Sequence, residues 1–271
     1  QFTQDDAHIF CTPAQLASEL HLLIDLVFTT YHDFGFENIG VKVATRPEKR
    51  IGDDSVWDQS ELSLKEALRS YGVAFEELPG EGAFYGPKIE FHLTDCLKRV
   101  WQCGTIQLDF SMPDRLGASY VDETGTKKAP IMIHRAIFGS IERFMGILIE
   151  HYAGWLPLWL SPQPLVVCTI TDRAIDHGRD CVKALRRLGI QCHLDQRNEK
   201  VGYKIREHTL AKVPLIAVIG DQEVANQTLA IRQYNGKSLG QWSLPQLIDA
   251  LVTHISQRKN TMDFSEISSA D

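Results

Sequence analysis

The spacing of apolar residues over positions 1–153 predicts a mixed set of strands and helices. The first run, residues 2–12, alternates as a strand does, and Thr12-Pro13 is a typical helix start. Apolar residues at helical spacing follow, and Gly35 should end that helix. Further predicted elements are strands at 39–44, 89–93 and 100–110, a short helix at 61–70, loops at 79–86 and 114–128, and a helix at 140–152. The last helix should bury one stripe: Ile141, Phe144, Met145, Leu148, Ile149 and Tyr152.

The pattern changes after residue 153. Residues 154–164 contain three prolines and no periodicity, which is typical of a linker. Beyond them, strands are predicted at 165–170, 190–195, 214–219 and 229–234, and helices at 172–188, 203–211 and 245–255. Such alternation favours an α/β domain over 165–256 with a mostly parallel sheet, followed by a polar tail at 257–271.

Composition favours a cytoplasmic protein of about two domains without a membrane-spanning helix. The chain has 271 residues, 44% of them hydrophobic, which is enough for two ordinary domains, and no apolar run is long enough to span a membrane. Six cysteines without CxxC spacing indicate reduced thiols and a cytoplasmic location. The net charge is −7, but the part after residue 163 is mildly basic and compatible with RNA contact. Because the chain starts without Met and in mid-pattern, we expect it to be a fragment.

Two features of the first domain point to a metal or an anion. His8 and His134 lie on different predicted strands, and imidazoles from neighbouring strands are a common zinc framework. Their distance along the chain alone favours two unrelated histidines that are hydrogen-bonded into a sheet. Arg143 lies in the first turn of its predicted helix, where it could bind a phosphate with the helix N-terminus. The alternative is an arginine that pairs with Glu142 or is solvated.

Two further features place polar groups beside flexible backbone. Residues 80–88 join a glycine-rich stretch to an aromatic side chain and a lysine, which suits close approach to a ligand, although a plain hairpin loop is equally compatible. Gln102 and Gln107 would face opposite sides of a regular strand. A bulge at Gly104 would bring both to one side, and the alternative is exposure at a sheet edge.

The second domain contains one basic candidate surface. Lys200, Lys204, Arg206 and Lys212 give the helix at 203–211 and its flanks a positive edge. Such an edge could contact RNA phosphates. An ordinary amphipathic surface helix is the alternative.

Several segments together closely resemble the threonyl-tRNA synthetase family, in the family's order. They are Phe2-Thr-Gln-Asp-Asp-Ala-His-Ile-Phe-Cys11, Arg46-Pro-Glu-Lys-Arg50, Gly80-Glu-Gly-Ala-Phe-Tyr-Gly-Pro-Lys-Ile-Glu90, Gln102-Cys-Gly-Thr-Ile-Gln-Leu-Asp109, His134-Arg-Ala-Ile-Phe-Gly-Ser-Ile-Glu-Arg143 and residues 197–210. The resemblance covers residues 1 to about 256. It implies an incomplete α+β class II synthetase core with an antiparallel sheet over 1–153, and then an α/β anticodon-binding domain.

The resemblance also implies a function, threonine–tRNA ligase. Such an enzyme uses ATP with Mg²⁺ to make threonyl-adenylate, transfers threonine to the 3′ end of tRNA(Thr), holds one Zn²⁺ per site and forms a homodimer. The implied ATP-binding residues are Phe2, Lys88, Gln102, Ser140 and Arg143, of which Lys88, Gln102 and Arg143 are catalytic. Those for threonine are Gln4, Asp6, Tyr85 and Gln107, and those for zinc are His8 and His134. Those for the anticodon are Asn198, Lys200, Lys212, Glu223 and Arg232.

The chain departs from the family's pattern at its start. The third zinc ligand, a cysteine, belongs upstream of residue 1, and the odd offset of Cys11 from His8 should point it to the other face of a strand. Motif 1, half of motif 2 and the editing domain have no counterpart, so we expect the chain alone not to charge tRNA. A non-catalytic, synthetase-like RNA-binding or regulatory protein is an alternative, which the retained site residues disfavour. A prolyl or glycyl enzyme is another, which the paired histidines disfavour.

Overall fold

A computed structural model describes residues 1–261, so most of the predicted tail at 257–271 lies outside the described residues. The chain divides into two compact units, Gln1–His151 and Tyr152–Asp271. The elements of the first unit are β1 Ala7–Cys11, α1 Leu16–Asp33, β2 Ile39–Ala44, α2 Asp54–Tyr71, β3 Glu76–Leu78, β4 Lys88–Thr94, β5 Val100–Asp109, α3 Met112–Arg115, β6 Tyr120–Val121, β7 Lys127–Lys128, β8 Ile131–Ala136 and α4 Ile141–His151.

The first unit is built on a six-stranded sheet in the order β1-β8-β5-β4-β2-β3. All neighbours are antiparallel except β2 and β3. Successive side chains alternate between the two faces. One face is apolar and buried, with Phe91 against Phe28 of α1. The other face is polar, and one row of directly paired residues crosses four strands: Lys88, Gln107, His134 and His8.

Several predicted boundaries in the first unit are wrong. The strand expected at 2–12 begins at Ala7, and α1 begins at Leu16 rather than after Thr12. The Thr12 hydroxyl and amide both donate to Oε1 of Gln15 at 3.0 Å, so the hydroxyl caps a turn instead of the helix. Helix α2 begins seven residues before the predicted start, at Asp54. The expected loop at 114–128 contains part of α3 and a small hairpin, β6–β7.

The predicted apolar stripe of α4 is only partly correct. Phe144 and Leu148 are buried, but Met145 and Ile149 are 53% and 47% exposed, and Ile147 is buried instead. An aromatic cluster decides which face is covered, because Phe144 packs against the rings of Phe34, Phe36 and Phe138. The buried stripe of α4 is therefore rotated about the helix axis relative to the stripe that residue spacing predicted.

The second unit is a mixed α/β domain. Its elements are β9 Leu165–Thr169, a 3₁₀ turn Asp172–Ala174, α5 Ile175–Arg187, β10 Cys192–Asp195, α6 Val201–Leu210, β11 Leu215–Ile219, α7 Asp221–Asn226, β12 Thr228–Gln233, β13 Ser238–Ser243 and α8 Leu244–Ser256. The sheet order is β10-β9-β11-β12-β13. The first three strands are parallel, but β12 and β13 are antiparallel, so the parallel part is smaller than expected. Helices α5 and α8 cover one face, and α6 covers the other.

Two elements of the second unit, α7 and β13, are not predicted by the sequence pattern. Strand β13 buries only Leu239 and Trp242, and Gly240 has a φ of +87°, so its alternation is weak. It forms because a tight turn around Gly236 returns the chain antiparallel beside β12.

The cysteines agree with the prediction of free thiols. All six are unpaired, and all except Cys96 are buried. Within residues 1–261 the structure contains no helix of the length and apolarity that crossing a bilayer requires.

Candidate active site

The polar face of the first sheet carries an open pocket of about 390 Å³, a volume typical of small-molecule sites. All predicted site residues of the first unit line it except Lys88: Phe2, Gln4, Asp6, His8, Tyr85, Gln102, Gln107, His134, Ser140 and Arg143. The fold therefore brings ten predicted side chains from four separate stretches of chain to one cavity.

The two predicted metal ligands are direct neighbours on adjacent strands. His8 of β1 is paired with His134 of β8, and their ring centroids are 4.7 Å apart. Tyr85 closes the group from the glycine-rich loop, with its ring centroid 5.5 Å from that of His134. The distance along the chain favoured two unrelated histidines, and that alternative is wrong because the two side chains are neighbours.

A buried carboxylate orients His134. Oδ2 of Asp109 lies 3.1 Å from Nε2 of His134, and Oδ1 accepts hydrogen bonds from the backbone amides of Ser111 and Met112. Burial opposes ionisation of Asp109, but these hydrogen bonds outweigh it and lower the pKa of the carboxyl. The bond to Nε2 leaves Nδ1 of His134 as the nitrogen available to a ligand, an arrangement that is usual for metal-binding histidines.

The histidine pair fits two positions of a zinc site. A catalytic zinc uses three protein ligands and an open position. Within the described part of the chain, no further His, Cys, Asp or Glu joins this pair in a group of three close enough for one ion. Cys11 is 5% exposed and its odd offset places it on the other face of β1, as predicted.

A bulge in β5 brings the two glutamines to one side. The pairing of β4 with β5 shifts between Phe91 and His92, so that Phe91 faces Gly104 while His92 faces Gln102. This confirms the expected bulge, whose extra residue is Cys103, next to Gly104. A Cβ at this glycine would lie 2.7 Å from the Tyr31 hydroxyl, so the close approach requires glycine.

The glycine-rich loop is attached to the pocket through Gln107. The Tyr85 hydroxyl donates to Oε1 of Gln107 at 2.9 Å, and Nε2 of Gln107 donates to the carbonyl of Gly86 at 3.1 Å. Gln107 is 6% exposed, so its amide is held in one orientation at the pocket wall. Burial, and then the charges of Asp109 and Asp6, raise the pKa of Tyr85, so its hydroxyl stays protonated.

Sequence reasoning missed Asp5, which anchors the first residues to the pocket. Its carboxylate accepts hydrogen bonds from Nη1 of Arg135 and from the amides of Ile137, Phe138 and Gly139 at 2.7 to 3.1 Å. Glu142 adds a second anchor, because it accepts from the amide of Thr3. Its main partners are backbone amides that only the fold brings near, so no signal in the sequence indicated this role.

The start of α4 presents a cation to the pocket. The Ser140 hydroxyl accepts from the amide of Arg143 at 3.4 Å, so Ser140 caps α4, which begins one residue after the predicted start. Glu142 is engaged with Thr3 and Ser140, and the Arg143 guanidinium lies 5.6 Å from the Trp101 ring centroid. Phe2, at 63% exposure, offers an aromatic face on the same cavity.

Lys88 is not a wall of the pocket. It lies in the same row as Gln107, but its Nζ is 2.8 Å from Oε1 of Glu90. The structure thus places this predicted catalytic residue beside the cavity and engages its ammonium group with a neighbouring carboxylate.

The predicted anticodon residues separate into two groups on the second unit. Asn198 and Lys200 follow the carboxyl end of β10 and are exposed, and Glu223 follows that of β11. Arg232 instead pairs with Ile216 near the amino end of β11, and Lys212 precedes that strand. Glu223 is 8% exposed and accepts from the Gly220 amide and from Gln241, whereas the Lys212 ammonium lies 4.5 Å from the Trp155 ring centroid.

A group of potential metal ligands in the second unit is a structural network. Cys168, Asp195 and His208 have ligand atoms within 4.8 Å of one another. However, the Asp195 carboxylate already binds Arg197 at 2.6 Å and His208 at 2.8 Å, and the Lys204 ammonium lies 4.0 Å away. The charged groups of Arg197 and Lys204 would repel a metal ion, and burial raises the pKa of the Cys168 thiol to about 12.

Each of the two units matches a known protein family. Residues 1–152 match the tRNA synthetase class II core domain of the G, H, P, S and T group, and residues 165–254 match the anticodon-binding domain. The chain therefore belongs to the class II aminoacyl-tRNA synthetases.

Solved structures refine this likeness. The RNA-binding domain of threonyl-tRNA synthetase from Cryptosporidium parvum is 37% identical with a TM-score of 0.88, over 93% of this chain and 64% of that chain. A protein from Aeropyrum pernix described as a threonyl-tRNA synthetase is 25% identical with a TM-score of 0.76, over 98% and 67%. Histidyl-tRNA synthetase of Staphylococcus aureus shares the fold alone, at 18% identity and a TM-score of 0.55 over 93% and 69%. The chain thus spans about two thirds of the length of these structures.

Proposed function

We propose that the chain is the catalytic and anticodon-binding part of a threonine–tRNA ligase, and that it binds ATP, threonine and tRNA(Thr). The observation that carries the proposal is the row of Gln107, His134 and His8, which ends at the same cavity as the start of α4. A polar wall that can bind a small hydroxy amino acid and a helix start that suits a phosphate thus share one pocket.

The proposed reaction is attack of the threonine carboxylate on the α-phosphate of ATP, which breaks the bond to the β-phosphate, forms threonyl-adenylate and releases pyrophosphate. In this scheme Gln107, held by Tyr85, and Asp6 orient the amino acid. Arg143 and the N-terminus of α4 bind the phosphates, and Phe2 stacks on the adenine. Catalysis of this kind depends on positioning and charge neutralisation, with no covalent enzyme intermediate.

The proposal includes a zinc ion held by His8 and His134. When bound, such an ion supplies a Lewis-acid contact for the amino and hydroxyl groups of threonine. Asp109 would fix the His134 ring, and Asp6 would accept a hydrogen bond from the threonine hydroxyl. A site that binds a hydroxyl rejects valine strongly, because valine leaves the polar partners unpaired. We also propose that the complete protein acts as a homodimer in the cytoplasm.

Amino acid activation tests the first unit. In the longest natural form of the protein, threonine-dependent ATP–pyrophosphate exchange should occur, and His134→Ala should abolish bound zinc and reduce exchange by about a hundredfold or more. His193→Ala, an exposed histidine on β10, is the matched control and should keep both. Normal zinc content and exchange in His134→Ala would refute the ligand assignment, and a wild type without exchange would favour a non-catalytic protein.

Transfer to tRNA tests the second unit. Arg232→Ala should raise the KM for tRNA without changing pyrophosphate exchange. The control is Arg187→Ala, an exposed arginine at the end of α5. Unchanged charging by Arg232→Ala would remove that residue from the proposed anticodon surface.

A further inference from the structure

One buried carboxylate on the polar sheet face binds a lysine and a histidine, and it has no role in the scheme above. Glu90, in the middle of β4, is 6% exposed. Its Oε1 lies 2.8 Å from Nζ of Lys88, and its Oε2 lies 3.0 Å from Nε2 of His92. The three residues alternate along one strand, so their side chains share one face of the sheet.

The carboxylate is firmly held in its charged form. The hydrogen bond from His92 and then that from Lys88 overcome the cost of burial and lower the pKa of Glu90 to about 2. A second lysine does not compete, because Lys42, which pairs with Glu90 across β2, is bound to Glu76 at 3.0 Å. The two carboxylate oxygens of Glu90 therefore bind Lys88 and His92.

This group is continuous with the pocket wall. Lys88 pairs with Gln107, Glu90 pairs with Thr105 and His92 pairs with Gln102 across β5. All three residues of β5 line the cavity. Nε2 of Gln102 also donates to the Thr105 hydroxyl at 3.0 Å. This hydrogen bond links the residue that pairs with His92 to the residue that pairs with Glu90.

We propose that Glu90 is a positioning residue that acts through Lys88, with His92 as the support for its second oxygen. A lysine has a flexible four-carbon stem. Glu90 fixes the Lys88 ammonium on the sheet face that carries the pocket, from where it can serve the charged groups of a nucleotide substrate. The inference rests on the proposed function and extends it from the pocket wall to a second layer of residues.

A double-mutant cycle tests this role. In the longest natural form of the protein, Glu90→Gln, Lys88→Met and the double variant are compared by threonine-dependent pyrophosphate exchange. Each single variant should lower kcat by about tenfold or more, as expected for a misplaced catalytic group, with little change in the KM for threonine. The double variant should be no slower than Lys88→Met alone, because Glu90 acts only through Lys88.

Two other variants keep the test decisive. Glu77→Gln removes a comparable carboxylate partner from Lys65, at 2.8 Å in the wild type, and should leave kcat unchanged. If Glu90→Gln does not fold, as judged by its thermal transition, His92→Asn replaces it. Its smaller loss of kcat should likewise disappear in the Lys88→Met background.

The possible failures are distinguishable. Multiplicative losses in the double variant, or a wild-type kcat in Glu90→Gln, would overturn the positioning role while leaving the proposed function intact. A wild-type protein that shows no threonine-dependent exchange would instead overturn the proposed function itself.

Discussion

Replacing Gly86 with alanine should damage the amino acid side of the pocket. A Cβ built on Gly86 would lie 1.8 Å from the carbonyl oxygen of Leu108, whereas ordinary contact starts at 3.4 Å. The loop and β5 must therefore separate by about 1.6 Å, the difference between these two distances. The obstacle is backbone rather than a flexible side chain, so no rotamer change relieves it.

The displacement should have two measurable consequences. Overpacking of this kind costs about 1–3 kcal/mol of stability, which urea unfolding can measure. The Gly86 carbonyl also accepts from Gln107, and Tyr85 is its neighbour. A misplacement of this size should raise the KM for threonine by about tenfold to a hundredfold, with a smaller change in the KM for ATP.

Gly146→Ala provides the matched control. This glycine lies within α4 and has no atom within 4 Å of an added Cβ. Alanine should therefore stabilise the protein by about 0.5–1 kcal/mol and leave the kinetics unchanged. If Gly86→Ala behaves like Gly146→Ala in both assays, the pocket geometry is wrong.

Three further predictions concern stability. Because the folded-state pKa of Glu90 is depressed to about 2, its contribution is complete above its ordinary pKa and is lost as the pH falls. Between pH 6 and pH 3 the wild type should lose about 2 kcal/mol more than Glu90→Gln, and equal losses in urea titrations would contradict this. Tyr31→Phe removes the buried hydrogen bond to the carbonyl of Ile137 and should cost about 1–2 kcal/mol by the same titration; an unchanged midpoint would argue against it. Lys204→Met removes a 1% exposed ammonium that donates to the carbonyls of Thr169 and Asp195. It should cost about 3 kcal/mol and impair tRNA charging more than pyrophosphate exchange, and equal effects on both reactions would argue against a local role.

The sequence predicted the type of most elements because their periodicity is strong. Strand β4 alternates clearly, and α1 has an apolar stripe from Leu16 to Tyr31 and ends at Asp33, two residues before Gly35. Boundaries were less predictable where side chains compete with the expected caps. Thr12 is one example, since Gln15 binds the hydroxyl that spacing assigned to a helix start.

The candidate site was predictable from family resemblance far more than from spacing. Nothing in the distance between His8 and His134 indicates that β1 and β8 are neighbours, because strand order depends on the whole sheet. The bulge near Gly104 could be predicted, because two glutamines at an odd offset can share one face of a strand only if a bulge lies between them. The roles of Asp5 and Asp109 were not derivable, because their partners are backbone amides and a ring that only the fold brings near.

Direct binding of an adenylate analogue tests whether the pocket binds threonyl-adenylate. A non-hydrolysable threonyl-sulfamoyl adenosine should bind the longest natural form of the protein with one molecule per pocket in titration calorimetry. The valyl counterpart should bind at least about a hundredfold more weakly, because it leaves the hydroxyl partners of the site unpaired. Equal affinity for the two analogues, or no binding of the threonyl compound, would contradict the account.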